Sequence, residues 1–98
     1  MIEVRQTEIF SDWLKGLRDD IAAKAIKRRI ARVQIGLMGD AKLIGDGVHE
    51  LRIDQGPGYR VYFARRGQVL VLLLCGGDKG SQTRDIGKAK ALAAEWKE

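Results

Sequence analysis

Val48-His49-Glu50-Leu51-Arg52-Ile53-Asp54, Gln55-Gly56-Pro57-Gly58, Tyr59-Arg60-Val61-Tyr62-Phe63-Ala64-Arg65-Arg66-Gly67 and Gln68-Val69-Leu70-Val71-Leu72-Leu73-Leu74-Cys75 follow one another without interruption. Three runs rich in β-branched, aliphatic or aromatic residues are separated by short glycine-containing breaks, the pattern of a three-stranded antiparallel meander. Pro57 fixes its own φ and the glycines on either side can take φ > 0, so 55–58 is the first turn. Arg66-Gly67 is the second. Pairing Asp54 with Gly58 puts Leu51, Ile53, Tyr59, Val61 and Phe63 on one face and Glu50, Arg52, Arg60 and Tyr62 on the other, because strand side chains alternate. A slip by one residue would drive the charges into the core, so burial selects this register. Residues 69–74 are aliphatic without alternation, as expected of a central strand covered on both faces.

Upstream, Ile2 and Val4 alternate with Glu3 and Arg5 in a short edge strand. Thr7 then caps a helix whose apolar positions Ile9, Phe10, Trp13, Leu14 and Leu17 form one stripe, with Glu8 suiting its N-terminal dipole. Arg18-Asp19-Asp20 breaks the pattern and caps a second helix over 21–38, with Ala22, Ala25, Ile26, Ile30, Val33 and Leu37 inward and Gly39 as its C-cap. Residues 39–47, with three glycines, read as a loop. After the meander, 76–83 form a loop, and Thr83 caps a last helix with Ile86, Ala89, Leu92, Ala93 and Trp96 buried. The order β-α-α-β-β-β-α describes an α+β domain, a meander packed on an α-hairpin.

Ninety-eight residues suit a single domain spanning 1–98. With 18 Lys and Arg against 13 Asp and Glu, the charge is +5, compatible with a polyanion or an acidic protein as partner. One cysteine, Cys75, excludes an internal disulfide and fits a reducing cytoplasm, and it reads as a small buried apolar residue. Neither a signal-peptide pattern nor an apolar run of membrane-spanning length is visible.

Residues 76–81 carry glycines, a lysine and a hydroxyl between a strand and a helix, but not in the order of a nucleotide-binding P-loop. They form a loop that brings Lys79 to the polar face of the meander. No metal or cofactor site is expected, His49 being the only histidine. It falls on the apolar face beside Leu51. A cationic, carboxylate-bearing cleft is suited to phosphodiester cleavage by a ribonucleotide's own 2′-hydroxyl, since arginine and lysine stabilise the charge developing on the phosphate. Glu50 is either the general base or an ion-pair partner of Arg52 or Arg60. Arg60 and Lys79 supply charge or a proton. Lys24, Lys27, Arg28 and Arg32 form a basic ridge on the second helix that is either a solvated face or a track for phosphates.

The run from Glu50-Leu51-Arg52 through Gly58-Tyr59-Arg60-Val61-Tyr62-Phe63, the segment Leu72-Leu73-Leu74-Cys75-Gly76-Gly77-Asp78-Lys79-Gly80-Ser81-Gln82-Thr83 and the Asp85-Ile86-x-x-Ala89 pattern resemble the RelE/ParE toxin superfamily of bacterial type II toxin-antitoxin systems. Within it the sequence is most similar to addiction-module killer proteins with HigB-like relatives. The resemblance implies a ribosome-dependent messenger-RNA endoribonuclease acting with the ribosome in the cytoplasm. It also implies a cognate antitoxin, commonly a helix-turn-helix DNA-binding protein. Matched position by position, it assigns catalytic roles to Arg60 and Lys79 and places Glu50 where relatives carry a basic residue. The aromatic or histidine partner of relatives near the C-terminus has no counterpart in Thr83-Arg84-Asp85, where Arg84 offers charge instead. RNA contacts are expected from Arg52, Tyr62, Arg84, Lys24, Lys27 and Arg28. ParE-like members share the fold but bind DNA gyrase, and a degenerate toxin would act through its antitoxin alone.

Overall fold

The computed structural model describes residues 1–67 and 70–96. The elements are β1 (Glu3–Gln6), α1 (Glu8–Lys15), α2 (Asp20–Gln34), β2 (Ala41–Gly45), β3 (Val48–Ile53), β4 (Tyr59–Arg66), β5 (Leu70–Asp78), a 3-10 turn (Lys79–Ser81) and α3 (Gln82–Glu95). They build one five-stranded sheet in the order β1-β5-β4-β3-β2. β1 lies at one edge, parallel to β5, and the other pairs are antiparallel. No helix among the described residues is long and apolar enough to cross a membrane.

β3 and β4 pair in the register that burial demands, Leu51 opposite Val61, Arg52 opposite Arg60 and Ile53 opposite Tyr59. Gly56 and Gly58 in the connecting turn have φ of 57° and 84°, the left-handed region open to residues without a Cβ. Leu51, Ile53, Val61 and Phe63 join Phe10, Ala22, Ile26 and Val33 in a core beneath the α-hairpin. The other face holds a second core, in which Val48, Tyr62, Leu72, Leu74 and Cys75 pack under Ala89 and Ala93 of α3.

Thr7 caps α1 by accepting a 3.0 Å hydrogen bond from the Phe10 amide. Asp19 does the same for α2 through Ala22. Thr7 has a second task. β5 carries a bulge opposite the Tyr62–Phe63 step, so that Tyr62 pairs with Cys75 and Phe63 with Leu73, leaving Leu74 outside the ladder as bulged residues are. The Thr7 hydroxyl donates to the Leu74 carbonyl at 2.6 Å, and the Thr7 amide donates to Leu73 at 3.0 Å. The carbonyl of the residue left outside the ladder is thereby satisfied, and β1 stays joined to β5 beside the bulge.

The bulge also resets the alternation of β5. Leu74 and Cys75 both enter the α3-side core, after which Gly76 faces Trp13 on the hairpin side and Gly77 faces Asp85 on the α3 side. A Cβ on Gly76 would lie 2.4 Å from the Trp13 ring, and one on Gly77 only 1.9 Å from Asp85 Oδ2. Glycine is required at both positions because a helix side chain sits directly on the strand backbone.

Four expectations need correction. Residues 41–45 are not loop but β2, an edge strand held by pairing to β3. α2 ends at Gln34 with Ile35, not Gly39, as its C-cap, and Leu37 is exposed beyond it. Asp78 rather than Thr83 provides the cap preceding α3, its Oδ1 accepting from the amides of Gly80 and Ser81. Finally, the polar face of the meander is not open, because α3 covers much of it. The expected start of the third strand at Val69 lies outside the described residues.

Candidate nucleic-acid interface

Glu50 lies on β3 opposite Tyr62, at the boundary between the α3-side core and the rim of the sheet. Its carboxylate is 1% exposed, and both oxygens are occupied. Arg60 Nη1 donates to Oε1 at 3.2 Å, and Gln82 Nε2, from the first residue of α3, donates to Oε2 at 2.8 Å. Such a carboxylate is enclosed on condition that its partners stay. Tyr62 is fully enclosed beside it. Burial first, and the neighbouring Glu50 carboxylate second, raise the Tyr62 phenol well above its usual range. Tyr62, expected to contact RNA, is instead part of the α3-side core, and its ring presents no surface to a base.

Arg60 is largely buried, with a side-chain exposure of 13%. It reaches from the Glu50 pair into a cavity of about 360 Å³ lined also by Arg52, Lys79, Asp40, Asp54 and Tyr59. The floor is the end of the β3–β4 hairpin. Lys79 overhangs it from the 3-10 turn and is exposed. Arg52 is half-exposed, with Nη2 3.3 Å from Asp40 Oδ1. Three cations therefore meet around one depression, joined by the carboxylates of Asp40 and Asp54. The sequence brought Arg52, Arg60 and Lys79 together through alternation and turn placement. Asp40 and Asp54 carried no signal beyond lying in turns.

Arg29 was also overlooked. From α2 its Nη1 donates to the Arg52 carbonyl at 2.5 Å and its Nη2 to the carbonyls of Met38 and Asp40, each at 3.2 Å. This fork ties the segment before β2 to β3 and so positions Asp40 against Arg52. Desolvation lowers the Arg29 pKa, the nearby Asp40 acting against that shift. A lone arginine among lysines and arginines on one helix gives no sequence cue that its donors turn back to carbonyls.

Arg84 stands on the first turn of α3 with its side chain 82% exposed and Nε 3.9 Å from Asp85 Oδ1. It lies beyond Lys79 along the same rim and lines a shallow depression with it. Lys24, Lys27 and Arg28 are exposed on α2, whose inner residues pack on the opposite face of the sheet from Glu50. They form a separate basic surface and do not share the cavity. Cys75 is buried, and desolvation, reinforced by Asp85, pushes its thiol up to about 11.

A family model described as phage derived protein Gp49-like (DUF891) matches residues 12–95. An uncharacterized protein of Haemophilus influenzae is 50% identical over 94 residues, covering 96% of this chain and 95% of its own length. Among solved structures, a mutant of the E. coli toxin RelE in the free state superposes with a TM-score of 0.72 at 15% identity, covering 97% of this chain and 98% of that one. That likeness is one of fold, and the α+β architecture with a helix-flanked sheet agrees with it. The chain belongs to the phage derived protein Gp49-like family, and it shares the fold of RelE.

Proposed function

We propose that this chain is the toxin of a type II toxin-antitoxin module and that it arrests translation by cutting messenger RNA on the ribosome. The observation that carries the reading is the cavity in which Arg60, Arg52 and Lys79 converge, three cations against the two carboxylates of Asp40 and Asp54. A phosphodiester attacked by its own 2′-hydroxyl accumulates charge on the non-bridging oxygens. Donors already fixed in place stabilise that charge without reorganising. Arg60 meets this condition because Glu50, itself held by Gln82, fixes its guanidinium. Lys79, on the rim, supplies a mobile ammonium to the phosphate or the leaving oxygen.

Glu50 acts in this reading as a positioning residue. At 1% exposure, with both oxygens engaged, it does not reach the 2′-hydroxyl. Asp54, exposed and on the cavity wall, is the carboxylate within reach of that proton. The basic ridge of Lys24, Lys27 and Arg28 docks on ribosomal RNA from the other side of the sheet, and Arg84 extends the cationic rim along the message. The partner in the resting cell is an antitoxin with an acidic contact surface, a helix-turn-helix DNA-binding protein. Its association slows as salt rises. The protein works in the cytoplasm, where ribosomes and messages are.

The test is primer extension on a defined message in a reconstituted translation reaction, with and without ribosomes. Wild type cuts only when ribosomes are present. Lys79→Ala and Arg60→Lys lower cutting by about 10²-fold or more, the scale of losing one aimed oxyanion donor, while Lys79→Ala melts like wild type. Charge reversal at Lys27 and Arg28 weakens ribosome binding and leaves the fold intact. Growth arrest without any ribosome-dependent cut would refute the ribonuclease and direct attention to gyrase, examined by supercoiling.

A further inference from the structure

A second cavity, of about 520 Å³, opens beside the first, between the C-terminal end of α1, the ends of β4 and β5, and the first turns of α3. The two share Tyr59 as a wall. We infer that this second cavity takes the guanine base of the nucleotide next to the phosphate held by Arg60 and Lys79, and so gives the protein a base preference at its cleavage site. The inference rests on the ribonuclease reading for which phosphate is held, but the pocket itself is argued from its own residues.

Trp13 and Tyr59 form the apolar side. Their rings meet edge to face at 6.3 Å. Trp13 leans on the backbone at Gly76, where no side chain larger than hydrogen fits, and is only partly buried, lining the cavity with the remainder of its ring. Aromatic faces of this kind are where unpaired bases stack. Helical spacing alone assigned Trp13 to the core, and the packing of Phe10 against it at 5.8 Å agrees with that. The part of the ring left uncovered is explained by neither.

Asp85 forms the polar side. It is 6% exposed, and its Oδ2 lies against Gly77 and accepts a short hydrogen bond from the Ser81 hydroxyl. Among the described residues its Oδ1 has only the Nε of the exposed Arg84 near it, at 3.9 Å. A carboxylate has about four acceptor sites, so this enclosed group holds acceptor capacity that the protein does not use.

The Watson–Crick edge of guanine presents two adjacent donors, the ring N1–H and the N2 amino group, and no acceptor between them. That edge matches a carboxylate. Adenine and cytosine offer one amino group beside a ring-nitrogen acceptor. Uracil offers a single N–H between two carbonyl oxygens, which the carboxylate repels. Arg84 and Lys88 at the mouth are placed for the phosphate and ribose that accompany the base.

Trp13 reports on this directly. Trp96, the other tryptophan, packs against the α3-side core, and its indole N–H has no hydrogen-bond partner among the described residues, so Trp96→Phe leaves Trp13 as the sole indole at little cost. Guanosine 5′-monophosphate should quench the emission of that variant saturably. Uridine 5′-monophosphate should bind about tenfold more weakly or worse, the discrimination of one good bidentate pair. Asp85→Asn, which keeps the volume, should abolish the guanine preference. Arg84→Ala, which removes only an exposed side chain, should weaken both nucleotides equally.

Emission unchanged by every nucleotide, or equal binding of guanosine and uridine monophosphates, would overturn the inference. Ribosome-dependent cutting by a protein whose Trp13 ignores nucleotides would overturn the base pocket and leave the ribonuclease standing. A guanine-selective response in a protein that cuts no message would support the pocket and remove the ribonuclease.

Discussion

Beneath the α-hairpin, Phe10, Ile26, Leu51, Val61 and Phe63 are enclosed almost completely, and among the described residues no charged side chain is buried with them. Across the sheet, the layer under α3 is enclosed to the same degree yet includes Glu50, Tyr62 and Asp85. The first layer is specified by volume and shape, so any apolar set of the right size holds it together. The second is specified by partners: Glu50 needs Arg60 and Gln82, and Asp85 needs Ser81. A layer of that kind contributes less to stability than to geometry. It fixes Arg60 where it enters the cavity and fixes the first turn of α3, on which Arg84 and Asp85 stand.

Removing one side chain from each layer separates the two modes of construction most strongly. Phe63→Ala should cost about 4 kcal/mol, the transfer and cavity loss of a buried aromatic, and no change at a charged residue should recover it. Glu50→Ala should cost about 3 kcal/mol because a largely buried guanidinium loses its counter-ion. Unlike the first loss, most of the second should return in Glu50→Leu combined with Arg60→Met, an apolar pair in place of the ionic one. Urea denaturation at neutral pH measures all three, and failure of the double variant to recover would mean that the α3 side is held by volume after all.

The adjacent glycines of β5 probe the same contrast at one residue's distance. Gly76→Ala pushes against the Trp13 ring and Gly77→Ala against the Asp85 carboxylate, each by about 1–3 kcal/mol of overpacking. Asp85→Ala should relieve the second and leave the first untouched. Melting temperatures of the three single variants and the two double variants decide it. Equal relief of both glycine variants would show that the two contacts are coupled through the strand.

Smaller still is the difference in pH response. His49, on the hairpin side, stacks on Phe63 with ring centroids 5.0 Å apart. Desolvation first, and Arg65 second, lower its pKa from 6.5. The unfolded chain then binds the proton more readily, so stability from this group is present above about pH 6.5 and falls as pH drops through the lower folded value. Cys75, on the α3 side, is shifted the other way, to about 11. Its contribution is complete below the ordinary thiol pKa of 9.0 and disappears as pH rises through about 11. His49→Gln should flatten the acid limb of a plot of melting temperature against pH, and Cys75→Ala should flatten the alkaline limb. In the native state at pH 8 the Cys75 thiol should resist disulfide reagents, since it is both enclosed and protonated.

How far each layer could be read beforehand follows from the same distinction. The hairpin layer was legible residue by residue, because the 3.6-residue stripe of Phe10, Ala22, Ile26 and Val33 and the alternation of Leu51, Ile53, Val61 and Phe63 are direct records of burial. The α3 layer was legible in part. Ala89 and Ala93 fell on a stripe, but the alternation of Glu50, Arg52, Arg60 and Tyr62 resembles a solvated face. Charged residues that satisfy one another inside a protein leave the same pattern as charged residues facing water. Arg29 was missed for a related reason, since its partners are backbone carbonyls brought from elsewhere by the fold, and Asp85 was missed because its bond to Ser81 leaves no mark on an otherwise polar helix start.

The chain by itself determined the β3–β4 register and the two helix caps. In the first case a slip would bury Arg52 and Arg60 unpaired, and in the second Thr7 and Asp19 act within three residues of their own position. Only the tertiary structure decided that 41–45 become a strand, because the energy for ordering that segment comes from the free edge of β3 and not from any pattern of its own. It alone placed the bulge at Leu74, which decides that Gly76 faces Trp13 and Gly77 faces Asp85 rather than the reverse. It also closed α3 over Glu50, for local sequence fixes which side chains share a face but not which element comes to lie upon it.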